Sequence, residues 1–400
     1  MVLVRLPVLQ HALCTAFLLI VGPSVASECL QRDVERRSML RHAKRDRWLV
    51  QLPRQLGGTK NSFELIAQIH VHGGSASLLK ALKVPLAFAG WYLLSIYYSI
   101  MNKQVLKVWN FPCTFSVTQL AVGSLWILLL WSPLPLPARK APISLRSPPR
   151  LSRGDFGKLY SVAIWLALGH LMSTIAPAYG TVAFTNVVKT AEPIFTCIFA
   201  ALFFGQTFSL PVYLTLVPVI AGVLLATASE VSFSTASLVS GLLSNVCFAL
   251  RATTAKRVMG EPIGENLTAQ NLYGVLTLQA LGTLLPFALF VEGGQIVTGT
   301  ITTVKAVGLF AFAKMLLLTG LSHYMYNECA FLALSSVHPV THAVANTVKR
   351  IAVIVLSVLY FRDPLTLTGA AGSAVAIIGV LLYSLAKAQW AASQAGIKAQ

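Results

Sequence analysis

Ten residues, Asn186-Val-Val-Lys189-Thr-Ala-Glu192-Pro193-Ile-Phe195, decide how this chain is read. They lie inside an apolar run from Val182 to Phe204, long enough to cross a bilayer. A charge at the bilayer centre costs about 2.5–3.5 kcal/mol on insertion scales, so charges there face a bundle interior or a wet cavity. Pro193 removes a backbone donor and bends the helix around that cavity. A structural Lys189–Glu192 ion pair would be the plain alternative. A second copy argues against it: Asn346-Thr-Val-Lys349-Arg350 repeats the Asn-x-x-Lys pattern 160 positions after the first and adds an arginine where neutralisation would need a carboxylate.

The rest of the composition fits a membrane setting. The chain has 400 residues, 56% of them hydrophobic and 11% charged, with a mean hydropathy of +0.70. That describes a polytopic helical membrane protein, not a soluble domain. Six cysteines are scattered without a CxxC pair, so neither a disulfide framework nor a metal site is implied. The net charge of +18 concentrates in residues 30–81 and 138–158, which flank the apolar core. Topology and targeting account for it, and nucleic-acid binding is not expected.

Residues 1–28 read as a signal peptide: Arg5 is the positive flank, residues 13–21 the apolar centre, and Val25-Ala26-Ser27 the cleavage site. A first transmembrane helix is the alternative, but the stretch is short and Pro23 breaks it. Residues 29–81 form a transit-like leader and spacer, with Arg32, Arg36, Arg37, Arg41, Lys44, Arg45, Arg47 and Arg54 crowded into its first half. A two-part leader of this kind suits a plastid bounded by extra membranes; a simple secretory signal would instead indicate the Golgi or endoplasmic reticulum. Residues 83–388 form the membrane domain and 389–400 a short polar tail.

Ten apolar segments follow from residue 83, at roughly 84–104, 112–132, 157–178, 182–204, 209–228, 235–256, 269–291, 303–333, 337–361 and 366–387. Ten spans put both ends on one side, together with the basic loop of Arg139, Lys140, Arg146, Arg150 and Arg153, as the positive-inside rule expects. Glycines 90, 123, 222, 241, 282, 372 and 379 suit close helix approach in lipid. Leu202-Phe203-Phe204 aligns with Leu359-Tyr360-Phe361, and Gly222-Val-Leu-Leu225 with Gly379-Val-Leu-Leu382, at a spacing of 157. The expected fold is therefore an all-α polytopic membrane protein of ten transmembrane helices, arranged as two inverted five-helix repeats. Transporters built this way hold substrate near the midplane between the halves, where the two lysines would meet.

Further polar residues join the lysines. Arg251 lies within the sixth span and needs an anion, unless it snorkels to the helix end; for Lys256 and Arg257, nearer that end, snorkelling is the better reading. His170 and Ser173 share a helical face, as ligand-facing groups or as a satisfied structural pair. Tyr326-Asn327 lies in the eighth span beside His323 and Glu328. Arginine forks two phosphate oxygens and lysine supplies a compact charge, so a phosphate carrying a small polyol or acid is the natural ligand. The spans hold no Walker loop, His-Cys metal set or Ser-His-Asp order, so no enzyme activity, cofactor or metal is implied.

These residues resemble the plastid phosphate translocator family, the triose-phosphate transporter branch of the drug/metabolite transporter superfamily. The resemblance is carried by Asn102-Lys103, Gly169-His170, Phe184-Thr185, Lys189-x-x-Glu192-Pro193, Ser244-Asn245, Arg251, Tyr326-Asn327, Pro339-Val-Thr-His342, Asn346-x-x-Lys349-Arg350 and Gly379-x-x-x-Tyr383-Ser384. It implies exchange of inorganic phosphate for phosphorylated C3, C5 or C6 compounds, with triose phosphate and 3-phosphoglycerate favoured. By matching position it implies that Lys189, Lys349 and Arg350 hold phosphate, while His170, Ser173, Arg251, Tyr326 and Asn327 line the rest of the pocket. Glu192, beside Pro193, is expected to gate the site by pairing with a lysine. Ser173, Asn186, Gln206, Lys314 and Ala176-Pro177-Ala178 depart from the usual pattern and leave the substrate subtype open. The alternatives are an endomembrane nucleotide-sugar or pentose-phosphate carrier, or a membrane receptor or scaffold without transport. The expected partners are small phosphorylated solutes and the lipid bilayer; the oligomeric state is left open.

Overall fold

The structure is a computed structural model that describes residues 62–134, 143–144, 146–260, 262–337 and 339–398, without the side chains of 62–83, 133–134, 143–144, 335–336, 339–340 and 395–398. The expected signal peptide and most of the transit-like leader lie outside the described residues. The described chain is helical apart from two two-residue strands. In order come α1 (Ser62–Val108), α2 (Pro112–Trp131), β1 (Pro133–Leu134), β2 (Ile143–Ser144), α3 (Arg153–Tyr179), α4 (Val182–Val188), a 3-10 turn (Lys189–Ala191) and α5 (Glu192–Phe204). Then follow α6 (Leu210–Leu214), α7 (Leu216–Ala228), α8 (Thr235–Val258), α9 (Ala269–Val307), α10 (Leu309–Ser336), α11 (Pro339–Phe361) and α12 (Leu367–Lys398). Residues 62–83 and 389–398, read as spacer and polar tail, continue the first and last helices. By internal contacts the described residues among 62–90 and 130–147 make one unit, in which β1 pairs antiparallel with β2; those among 91–129 and 148–398 make the other.

Among the described residues nine helical stretches are long and apolar enough to cross a bilayer. Two of them are composite: α4, the 3-10 turn and α5 form one span, and α6 with α7 another. The eighth span of the expected fold, α10, is not among the nine; its 28 residues include Lys314, His323, Asn327 and Glu328. With α10 counted beside the nine, the described residues agree with the expected ten segments, and the chain is a polytopic helical membrane protein.

The expected break between the seventh and eighth spans is displaced. The expected seventh span stops at residue 291, yet α9 runs for 39 residues to Val307, and the chain turns at Gly308, whose φ of 85° is disfavoured for a side chain. Glu292 is not a loop carboxylate. It accepts the backbone N–H groups of Cys113 (2.9 Å) and Thr114 (2.7 Å), satisfying donors at the start of α2 that have no partner within their own helix.

The most extensive helix pairings are α3 with α8 and α7 with α12. The second is possible because two glycines bring backbones together. A Cβ on Gly222 would lie 2.3 Å from the Ala376 nitrogen, and one on Gly379 would lie 2.8 Å from the Val219 nitrogen. Val219 and Ala376 stand at the same spacing of 157 as the two glycines. The contact is therefore reciprocal, as in an isologous interface. Gly282, by contrast, meets nothing within 4 Å, so close approach does not explain it.

Candidate functional site

The fourth span breaks where its sequence requires. Pro193 has no N–H for the Lys189 carbonyl, and the Glu192 N–H takes that carbonyl in the tighter i→i−3 pattern. The Val188 carbonyl thereby loses its usual helical partner. Asn245 of α8, fully buried, replaces it by donating from Nδ2 at 2.9 Å. The result is a 3-10 turn holding Lys189, followed by a new helix, α5, that begins with Glu192 and Pro193. An acidic residue and a proline both suit a helix start.

A cavity of about 770 Å³ lies against this turn, a size usual for a small-molecule site. Nine of the ten residues singled out from the sequence line it: His170, Ser173, Lys189, Glu192, Arg251, Tyr326, Asn327, Lys349 and Arg350. Pro193 does not; it acts on the backbone. The described lining therefore holds four cations, Lys189, Arg251, Lys349 and Arg350, against one carboxylate, Glu192.

That carboxylate does not pair with a lysine, contrary to the expectation. Arg350 Nη2 donates to Glu192 Oε2 at 2.9 Å, joining α11 to α5 across 158 residues. The side chains are 13% and 33% exposed, respectively. The guanidinium presents two amino groups in a fixed plane, and only one is spent on Glu192. Arg350 Nη1 is buried without a hydrogen-bond partner, as are Arg251 Nε, Ser173 Oγ and His170 Nε2. Arg251 has not snorkelled out; its guanidinium lies 5.6 Å from the Phe248 ring centroid and its residue lines the cavity. Lys256 stands at the helix end instead, over Phe204 and hydrogen-bonded to Gln206 Oε1.

Another part of the lining is aromatic and imidazole-rich. His170 and His323 rings lie 4.2 Å apart, and Tyr98 contacts both His323 (5.3 Å) and Tyr326 (5.1 Å). Tyr98 donates to Gln119, and Gln119 to Asn102, all three buried. Asn327 Nδ2 is turned back onto the His323 carbonyl, which leaves its oxygen as the group facing other partners. Sequence reasoning singled out neither Trp91, Tyr98, His323 nor His342 as site residues, though all four line the cavity. One signal was available: Trp91, Ser95, Tyr98 and Asn102 recur at helical spacing along α1 and form a single stripe.

At one end the lining reaches Met259 and Leu334, both exposed, where α8 and α10 terminate. At the other it stops at buried Asn102, Pro177 and Val182. Just beyond, Lys103 Nζ donates to the carbonyls of Pro177 (2.6 Å) and Gly180 (2.9 Å), Gln104 donates to the Tyr360 hydroxyl, and Lys107 lies over Phe361. The cavity thus opens at one end of the helices and is tied shut at the other.

Spans arranged around a cation-lined chamber with one open end define a multi-pass membrane protein enclosing a small-molecule site. Residues 82–384 match the profile of the Triose-phosphate Transporter family, and the chain belongs to that family. It is 36% identical to a xylulose 5-phosphate/phosphate translocator, chloroplastic, of Arabidopsis thaliana over 78% of this chain and 72% of the relative. It is 35% identical to phosphoenolpyruvate/phosphate translocator 2, chloroplastic, of the same plant, over 80% and 81%. A triose phosphate/phosphate translocator, non-green plastid, chloroplastic, of Brassica oleracea var. botrytis is 33% identical over 78% and 75%.

Proposed function

We propose that this chain is an antiporter of the plastid envelope that exchanges inorganic phosphate for a phosphorylated C3 compound, triose phosphate or 3-phosphoglycerate. One observation carries the reading: Lys189 and Lys349–Arg350, from segments 160 residues apart, line one cavity with a single carboxylate between them. Such a chamber attracts a doubly charged anion and disfavours neutral or cationic solutes. Lys189, Lys349 and Arg350 hold the phosphate, with the unspent Arg350 Nη1 as a second donor. His170, Ser173, Arg251, Tyr326 and Asn327 read the organic part. The names of the relatives support phosphate as one of the exchanged ions, and they span several counter-substrates.

The reciprocal Gly222 and Gly379 contacts support two inverted halves, which would let the open end alternate about a fixed site. Residues 1–28 serve as signal and 29–81 as transit-like leader and spacer, an assignment supported by their charge and apolar pattern. The test is purified protein in phosphate-loaded proteoliposomes, offered labelled phosphate against triose phosphate, 3-phosphoglycerate, phosphoenolpyruvate, pentose and hexose phosphates, and nucleotide sugars. Preferred exchange of a nucleotide sugar, or no exchange at all, overturns the reading. A fusion of residues 1–81 to a fluorescent protein tests the leader.

A further inference from the structure

Lys349 and Arg350 are adjacent in sequence but are held in different ways. Arg350 has Glu192. Lys349 makes no ion pair among the described residues; its ammonium lies 4.9 Å from the centroid of the Trp91 ring. Trp91 is 2% exposed and stacks on His342 at 4.7 Å with an interplanar angle of 11°. The next residue, Tyr92, donates its hydroxyl to the Ala345 carbonyl. His342, Ala345 and Lys349 occur at i, i+3 and i+7 on α11, so one face of that helix lies along this stretch of α1. The indole is thus fixed both by its stack and by the neighbouring hydrogen bond.

We infer that Trp91 is a positioning residue that holds the Lys349 ammonium at the cavity wall through its ring face. The choice of an aromatic over an acid has a physical reason. A ring quadrupole attracts a cation yet carries no net charge. The lysine is held in place with its full charge available to an anion, whereas a carboxylate at position 91 would cancel it, as Glu192 partly cancels Arg350. A long, flexible lysine gains most from such a holder, because an unrestrained ammonium surrenders rotamer freedom each time it binds. This rests on the reading of Lys349 as a phosphate ligand.

The experiment measures the phosphate-dependent rise in unfolding temperature of the purified full chain, which reports binding without transport, alongside phosphate exchange in proteoliposomes. Trp91→Leu should raise the half-saturating phosphate concentration about tenfold, equivalent to about 1.4 kcal/mol. Trp91→Phe should recover most of that loss. In a Lys349→Ala background, Trp91→Leu should change nothing further. If Trp91→Leu fails to insert, a graded series of fluorinated tryptophans at position 91 keeps the shape while draining the quadrupole, and half-saturation should rise stepwise with fluorination. A flat fluorination series, or Trp91→Leu within twofold of the parent, overturns the inference. Loss of the phosphate response in Lys349→Ala beside a flat Trp91 series sinks this inference alone; a retained response in Lys349→Ala sinks the phosphate assignment itself.

Discussion

Glu192→Gln separates two roles that the same carboxylate could play. In the structure Glu192 Oε2 takes one amino group of Arg350 at 2.9 Å. If it mainly competes with the substrate, removing its charge should tighten phosphate binding. If it mainly holds Arg350 in place, the change should weaken binding. Glutamine keeps an oxygen that accepts from Nη2, so position is largely preserved and charge is the variable. A phosphate on Nη1 would sit about 7 Å from the carboxylate, given ordinary hydrogen-bond lengths on both sides of the fork. One pair of unit charges at that distance is worth about 0.6 kcal/mol at the dielectric of water and about 2.4 kcal/mol at the effective value typical of protein sites. The carboxylate, one third exposed, puts the site between those limits, so phosphate should bind about 3- to 60-fold more tightly in Glu192→Gln. Tighter holding slows release, and maximal exchange should fall. The assay is phosphate titration by thermal shift, paired with initial exchange rates in proteoliposomes. Weaker phosphate binding in Glu192→Gln, with the protein normally inserted, would refute the competition and make Glu192 a positioning group.

Lys189→Ala, Lys349→Ala and Arg350→Ala should each nearly abolish phosphate exchange while leaving insertion intact, and Arg350→Lys should be impaired because an ammonium does not reproduce the fork; near-normal exchange in Lys349→Ala by the same assay contradicts this. Substitutions at His170, Ser173 and Tyr326 should change the ranking of counter-substrates more than phosphate–phosphate exchange, read as the ratio of half-saturation constants; a uniform change across the panel would show that these residues do not read the organic part. Asn245→Leu should cost about 1–3 kcal/mol by leaving the Val188 carbonyl buried without a donor, seen as a lower unfolding temperature together with reduced phosphate affinity, because Lys189 begins the turn that this carbonyl precedes. Vesicles holding no exchangeable anion should take up labelled phosphate far more slowly than phosphate-loaded ones; equal, sustained uptake would point to a uniporter or a proton-coupled carrier.

The membrane spans and the cations were legible because a charge inside an apolar run has few places to go. Lys189, Lys349 and Arg350 announce a polar interior before any contact is known, and the i, i+3 spacing of His170 and Ser173 puts them on one face. The pairing of Glu192 was not legible. Proximity in sequence favoured Lys189, whereas the ion pair formed is with a residue 158 positions away. The end of α9 was missed because Glu292-Gly293-Gly294 has loop composition, and nothing local says that the carboxylate caps another helix. Trp91 and His342 were overlooked for the opposite reason: aromatic and imidazole groups in apolar spans look like ordinary core, and only the stack between α1 and α11 sets them at the cavity. α10 shows the same tension between membrane and site. It brings His323, Tyr326 and Asn327 to the chamber from within a membrane span.

The charge balance of the chamber bears directly on whether transport is coupled. The described lining has four cations to one carboxylate, and the only ion pair among those five is Arg350–Glu192. Holding Lys349 on an indole steadies its position without neutralising it. Closing the open end would remove water from the remaining positive charges, and the effective cost is several kcal/mol per uncompensated ion. A phosphate dianion held between the 3-10 turn and α11, as proposed, would offset most of that charge and join the two segments that contribute it. Its stabilisation is therefore larger in the closed chamber than in the open one, and such differential stabilisation is what moves a conformational equilibrium. The organic part of a sugar phosphate adds hydrogen bonds but little charge, so different phosphorylated compounds should satisfy the same closing condition. In this reading selectivity sits on the α1, α3 and α10 wall, while the coupling of one anion in to one anion out sits in the lysines and arginine.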